Sequence, residues 1–140
     1  MTKISSTSVN PPVLHLHWLW LLLGCAGIQA LLAVDFIFVP LNFSLPYEDK
    51  FYHALAHALP AAWFFMLYQS RFERRALLVA FLLLALFGEL LQPLSPYHTF
   101  DVWDIFANLA GIGLGWKLAH SRIGTVLERF DHFLASSFKA

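Results

Sequence analysis

"FDVWDIFANLAGIGLGW", residues Phe100 to Trp116, is apolar enough to enter a membrane, yet it opens with Asp101, Asp104 and Asn108. At about 100° per residue these three, together with Gly111 and Gly115, fall within roughly an 80° arc of one helix face. The face is polar at its start and bare further on. The two glycines have the small-xxx-small spacing that lets a second helix approach closely in lipid. The stretch therefore reads as a helix that lines a polar region with one half and packs on a neighbour with the other.

The rest of the chain supports a membrane setting. Its 140 residues are 59% hydrophobic and 13% charged, and the mean hydropathy is +0.62, against about 25% charged residues in ordinary soluble domains. Formal net charge is zero and no dense Lys/Arg block occurs, which argues against nucleic acid as a partner and against a polybasic lipid clamp. Four segments, approximately 16–38, 51–68, 76–91 and 102–120, approach the roughly 20 residues that cross a bilayer core of about 30 Å. Proline-bearing or charged breaks separate them, and the tail from Ser121 reads as a short amphipathic surface helix. The expected fold is all-α: one polytopic membrane domain over 1–140, a bundle of four transmembrane helices with a short C-terminal surface helix. Cys25 is the only cysteine, so no internal disulfide forms. It sits in "LLLGC", which has the look of a lipoprotein cleavage box, but the apolar run continues to Val39 and puts Cys25 inside the first spanning helix.

Orientation follows from Lys and Arg near segment ends. The middle loop carries Arg71, Arg74 and Arg75, the C-terminal side Lys117, Arg122, Arg129 and Lys139, and the N-terminal side Lys3; the first loop offers only Lys50. Both termini are expected in the cytoplasm of a multi-pass inner-membrane protein. The polar residues then meet the outer side: Asp49, Lys50, His53 and His57 open segment two, Glu89 and Gln92 close segment three, and His98, Asp101, Asp104 and Asn108 lead into segment four. Lys50, His53, His57 and Pro60 share one helix face. Ionisable groups at such depth turn toward the bundle interior, because facing lipid costs a few kcal/mol. An outward-open polar pocket is expected, with Pro60 kinking segment two just below His57. Trp18, Trp20, Trp63, Trp103 and Trp116 read as interfacial belt residues.

Several chemistries fit these parts. Glu89 or Asp104 could serve as a base, His53 as an acid, and Lys50 as a holder of phosphate or carboxylate. No serine or cysteine stands beside a histidine, so a nucleophilic triad is unsupported. His53 and His57 have the i, i+4 spacing of helix-borne zinc pairs, with Glu89 or Asp104 as a third ligand, but no H-E-x-x-H pattern accompanies them, and neither a metal nor any other cofactor is expected. For His57 the bland alternative is a core histidine bonded to a carbonyl. Four helices without inverted repeats make a small scaffold for transport unless the chain forms a homo-oligomer.

"DKFYHALAHA", "GELLQPLSP" and "DVWDIFANLAGIGLG" together resemble the D-K-x-x-H, E-x-x-Q and D-x-x-x-N-x-x-G elements of the VanZ-like membrane proteins, a family named for an accessory teicoplanin-resistance protein. The resemblance runs from about Asp49 to Gly115. It implies a bacterial envelope protein linked to glycopeptide tolerance, and it does not establish a chemical activity. One departure is that family members typically carry an arginine between the second and third elements, where this chain has His98. If that arginine holds an anion, His98 would do so only when protonated. Asp49, Lys50, His53, Glu89, Gln92, His98, Asp104 and Asn108 are the expected ligand-binding residues. The expected role is binding of an envelope ligand, a lipid-linked precursor head group or a glycopeptide among membrane lipids. An intramembrane hydrolase of a lipid-linked substrate and a purely structural subunit, its polar groups bonding one another, are the alternatives.

Overall fold

The computed structural model describes residues 14–37, 48–94 and 99–137, and these are all-α. Five helices follow in order: α1 (His17–Ile37), α2 (Glu48–Leu67), α3 (Arg71–Leu91), α4 (Val102–Ala119) and α5 (Val126–Ser137), with 3₁₀ turns at Gln92–Leu94 and Arg122–Thr125. No strand occurs among the described residues. The four long helices match the four apolar segments to within a few residues, and α5 is the expected C-terminal helix.

The heart of the molecule is the pairing of α2 with α4, flanked by α1 on α2 and by α3 against both. The expected glycine contact explains why this pair packs so closely. A Cβ on Gly111 would lie 2.1 Å from the Ala54 carbonyl oxygen, and one on Gly115 would lie 2.5 Å from that of Ala58. Ala54 and Ala58 are themselves four apart, so small residues face small residues and the two backbones nearly touch. Around this contact Ala61, Phe65, Phe81, Ala85 and Ile112 form the apolar core. Pro60 lies inside α2, which is assigned as one helix from Glu48 to Leu67.

α3 starts five residues before the expected segment, because Ser70 and Glu73 form a reciprocal capping box. Ser70 Oγ accepts from the Glu73 backbone N–H (3.2 Å), and Glu73 Oε2 accepts from the Ser70 N–H (3.2 Å). The "QSRFERR" stretch is thus a helix start as well as a charged loop. α3 is also the one helix among the described residues that is long and apolar enough to cross a membrane, over Arg71–Leu94. Only 22% of an 18-residue apolar stretch within it is buried inside the protein; Val79, Leu83, Leu86, Phe87 and Leu90 point outward. A core helix of a soluble protein would be mostly covered, so this apolar exposure suits contact with lipid. In α4, Asp104, Asn108 and Lys117 dilute the apolar run, and in α2 Glu48, Asp49 and Lys50 do so; the described apolar stretch of α1 covers only His17–Leu32.

At the end holding the α2–α3 turn, Gln69 Nε2 donates to Glu128 Oε1 (2.7 Å), and Arg74 Nη1 contacts His120 Nε2. The start of α1 lies at the same end, tied to α5 through Asp131. That carboxylate accepts from the backbone N–H groups of His15 (2.7 Å) and Leu16 (2.8 Å) and from the Trp20 indole (2.9 Å). Trp63 in turn donates its indole N–H to the Trp20 carbonyl (3.0 Å) and meets the Trp20 ring edge-on. Trp20 is therefore a buried bracing residue and Trp63 its partner, whereas Trp18, Trp103 and Trp116 are exposed. Cys25 lies within α1, exposed.

Candidate functional site

At the far end of the bundle from Asp131, three helices bring their polar residues together. α2 contributes Asp49, Lys50 and His53 from its first turns; α3 contributes Glu89 from its last turn; α4 contributes Asp104 and Asn108, with Asp101 as its N-cap. Asp101 Oδ1 accepts from the Trp103 backbone N–H (2.9 Å), the usual way for an aspartate to satisfy a helix start. The α2–α4 glycine contact sets this geometry, because close backbones bring Lys50 and His53 within reach of Asp104 and Asn108.

Lys50 Nζ stands among three aspartates: 2.8 Å from Asp49 Oδ2, 2.5 Å from Asp101 Oδ2 and 2.6 Å from Asp104 Oδ1. The contact to Asp104 is ionic without hydrogen-bond alignment, whereas those to Asp49 and Asp101 are aligned bonds. The bond from Lys50 holds the Asp101 carboxyl below the usual carboxylate range, with help from the Trp103 N–H. His53 Nδ1 meets Asn108 Oδ1 at 3.2 Å, and His53 Nε2 is 3.6 Å from Asp104 Oδ2. Glu89 Oε1 accepts from the Asp101 backbone N–H (2.8 Å), which ties α3 to the start of α4. Glu89 Oε2 is buried and has no hydrogen-bond partner among the described residues.

Burial separates an inner from an outer group. Glu89, Gln92, Asp104 and Asn108 are buried, Lys50 and His53 partly so, and Asp49 is exposed. The cluster carries four carboxylates against one ammonium. Two triads lie close enough to hold a cation: Asp49, Asp101 and Asp104, and His53, Glu89 and Asp104, each set offering ligand atoms within 4.8 Å of one another. The first already surrounds the Lys50 ammonium.

Of the residues expected from the sequence, Asp49, Lys50, His53, Glu89, Asp104 and Asn108 meet in this cluster, and Gln92 is buried one turn beyond Glu89 in the 3₁₀ turn. His98 lies outside the described residues. Among the described residues, no group spaced to hold a metal includes His57. His57 Nδ1 sits on the His53 carbonyl at 3.1 Å, the local bond of a core histidine, and Glu89 and Asp104 are the partners that join His53. Asp101, one of three polar residues on the opening face of α4, proves more central than the ligand set allowed: it caps α4, holds Lys50 and orders Glu89. Its place just before an apolar helical run is the signal for that role.

Neither a curated protein nor a solved structure matches this chain. A family model does: the VanZ/LLP1 model covers residues 26–124, from within α1 to the 3₁₀ turn before α5. That range takes in every residue of the polar cluster and most of the chain, so the protein belongs to the VanZ/LLP1 family.

Proposed function

We propose that this chain is a multi-pass protein of the bacterial inner membrane, with α1–α4 as its spans and both termini in the cytoplasm, whose polar cluster faces outward and binds an envelope ligand. The ligand class is a lipid-linked precursor head group or a glycopeptide. At 1.5 Å per residue α1–α4 run about 27–32 Å, the thickness of a bilayer core. The start of α1, the α2–α3 turn and α5 share one end. The Arg-rich α2–α3 turn makes that end cytoplasmic by the positive-inside rule, which leaves the cluster outside. A phosphatase fused after Ala140 should be inactive; activity outside the cytoplasm would reverse the reading.

The observation that carries the binding role is the buried Glu89 oxygen left without a hydrogen-bond partner among the described residues, beside a surplus of carboxylates. Groups that only staple helices come in complementary pairs, and a buried polar atom without a bond costs about 1–3 kcal/mol. The structural alternative draws on the bonds the cluster does make internally, notably Lys50 to its aspartates and His53 to Asn108. A Glu89→Gln chain decides between them, because it keeps shape and the bond from Asp101 while removing charge. Loss of teicoplanin tolerance with normal accumulation in the membrane supports binding; full tolerance removes it. His53, held by Asn108 beside two buried carboxylates, also supplies the acid–base parts of a hydrolase. Release of product from a lipid-linked substrate by the purified chain would turn the binding site into an active site.

A further inference from the structure

The geometry points to a divalent-cation site formed by His53, Glu89 and Asp104, with Zn²⁺ the best fit. Each residue offers a ligand atom within 4.8 Å of the other two, from three different helices. Three lines of chemistry converge on it.

The first is the imidazole. An amide oxygen cannot donate, so the contact between Asn108 Oδ1 and His53 Nδ1 puts the ring proton on Nδ1. With that proton alone on the ring, the Nε2 lone pair faces Asp104 Oδ2, 3.6 Å away. Two acceptors that face each other repel, unless something positive lies between them. Orientation of a ligating histidine through its other ring nitrogen is the usual outer-shell device of metal sites. A cation about 2.1 Å from each atom, bound at a roughly tetrahedral angle, spans a gap of this size.

The second is Glu89. Its Oε1 is fixed by the Asp101 N–H, and its Oε2 is buried with no hydrogen-bond partner among the described residues. A carboxylate held by one oxygen with the other unbonded is the form of a monodentate ligand awaiting its cation. The third is charge. The neighbouring triad of Asp49, Asp101 and Asp104 is served by the Lys50 ammonium, whereas among the described residues His53, Glu89 and Asp104 have no cation of their own except the one Asp104 shares. Buried carboxylates are ordinarily paired or bound to metal. Imidazole and carboxylate are both zinc ligands, and three protein ligands leave the fourth position open as catalytic zinc sites do; the nitrogen donor makes the set less suited to Ca²⁺ or Mg²⁺, which favour oxygen alone.

The test uses the full chain in detergent, purified through a tag free of histidine, stripped by chelator and titrated separately with Zn²⁺, Mn²⁺ and Co²⁺. One equivalent of Zn²⁺ per chain is expected, with a Co²⁺ adduct whose visible spectrum reports mixed nitrogen and oxygen ligation. Glu89→Gln and Asp104→Asn should lose the equivalent, Asn108→Ala should weaken it by about 10–100-fold, and His57→Gln should bind like the parent. No stoichiometric binding by the parent chain overturns the site, as does full binding by Glu89→Gln. A carboxylic-acid carbonyl band in the infrared that disappears in Glu89→Gln does so too, since a proton would then meet the charge surplus. Should a variant fail to fold, the parent's Zn²⁺ stoichiometry and Co²⁺ spectrum still decide. The titration needs only the metal, so its outcome is separate from that of the tolerance assay.

Discussion

Asp131 and Glu89 are equally buried, each with 1% of its surface exposed, yet their surroundings are opposite. Asp131 spends both oxygens on three donors, two of them backbone N–H groups at the start of α1. Burial pushes its carboxyl up, but the Trp20 indole and the His15 and Leu16 N–H groups outweigh that and hold it below the usual carboxylate range. Among the described residues Glu89 has one bond, one orphaned oxygen and further carboxylates nearby. The first arrangement is what a helix clamp needs: a negative group at the positive end of α1, with both oxygens directed to donors. The second leaves a buried oxygen unbonded among the described residues, and that oxygen is what the proposed ligand would engage.

The largest expected effect lies at the clamp. Asp131→Ala strands two backbone N–H groups and an indole inside the α1–α5 contact, and it should lower stability by about 3 kcal/mol or more, read as a fall in the unfolding midpoint in detergent. A fall no larger than that of an exposed substitution such as Phe133→Ala would erase the contrast between the two carboxylates.

Next comes the α2–α4 contact, which holds the acid-rich end together by packing. Gly111→Ala drives a methyl group into the Ala54 carbonyl, and a backbone atom cannot step aside as a flexible side chain can. A loss of about 1–3 kcal/mol is expected, with displacement of Asn108 and Asp104 from α2. Gly113, two residues on, has nothing within 4 Å of an added Cβ, so Gly113→Ala should be neutral or gain up to about 1 kcal/mol. Equal effects at the two glycines would mean that the close approach does not hold in solution.

Acid titration sharpens the comparison further. A carboxyl whose folded pKa is depressed contributes its full stability above the ordinary aspartate value of about 3.9 and loses it as pH falls toward the folded value. The parent chain should therefore weaken below about pH 4. Asp131→Asn should be less stable at neutral pH and should lose less on acidification, so the two curves converge. Parallel curves would show that Asp131 is not the group that titrates.

The acid-rich end was largely legible in the sequence because its signals are local. Asp104, Asn108, Gly111 and Gly115 lie on one arc of α4, and Lys50 and His53 share a face of α2; helical periodicity puts each set on one side, and antiparallel segments bring the sides level. The clamp was not legible, since Asp131 meets residues more than 110 positions away. Its hint was a charged residue at helical spacing from Leu127 and Leu134 on α5, where an apolar one would ordinarily sit. The early start of α3 escaped for another reason: a capping box and a charged loop use the same residue types, and Arg71, Arg74 and Arg75 masked Ser70 and Glu73.

The smallest expected effect on stability is the most informative. Glu89→Gln keeps the carbonyl oxygen that accepts from the Asp101 N–H, and it turns the orphaned oxygen into an amide that can donate to a nearby carboxylate. It also removes one of the four carboxylates of a cluster that holds a single ammonium. If the end were a staple like the clamp, this change would cost about 1–3 kcal/mol, as loss of a buried network partner does. If the surplus charge exists for a ligand, stability should stay within about 0.5 kcal/mol of the parent or rise, since buried like charges are relieved while no bond is lost. Asp131→Asn, the same chemical change at the other end, then provides the internal standard. A destabilised Asp131→Asn beside an unaffected Glu89→Gln would separate a group placed for the fold from one placed for a partner; equal destabilisation would make both carboxylates structural.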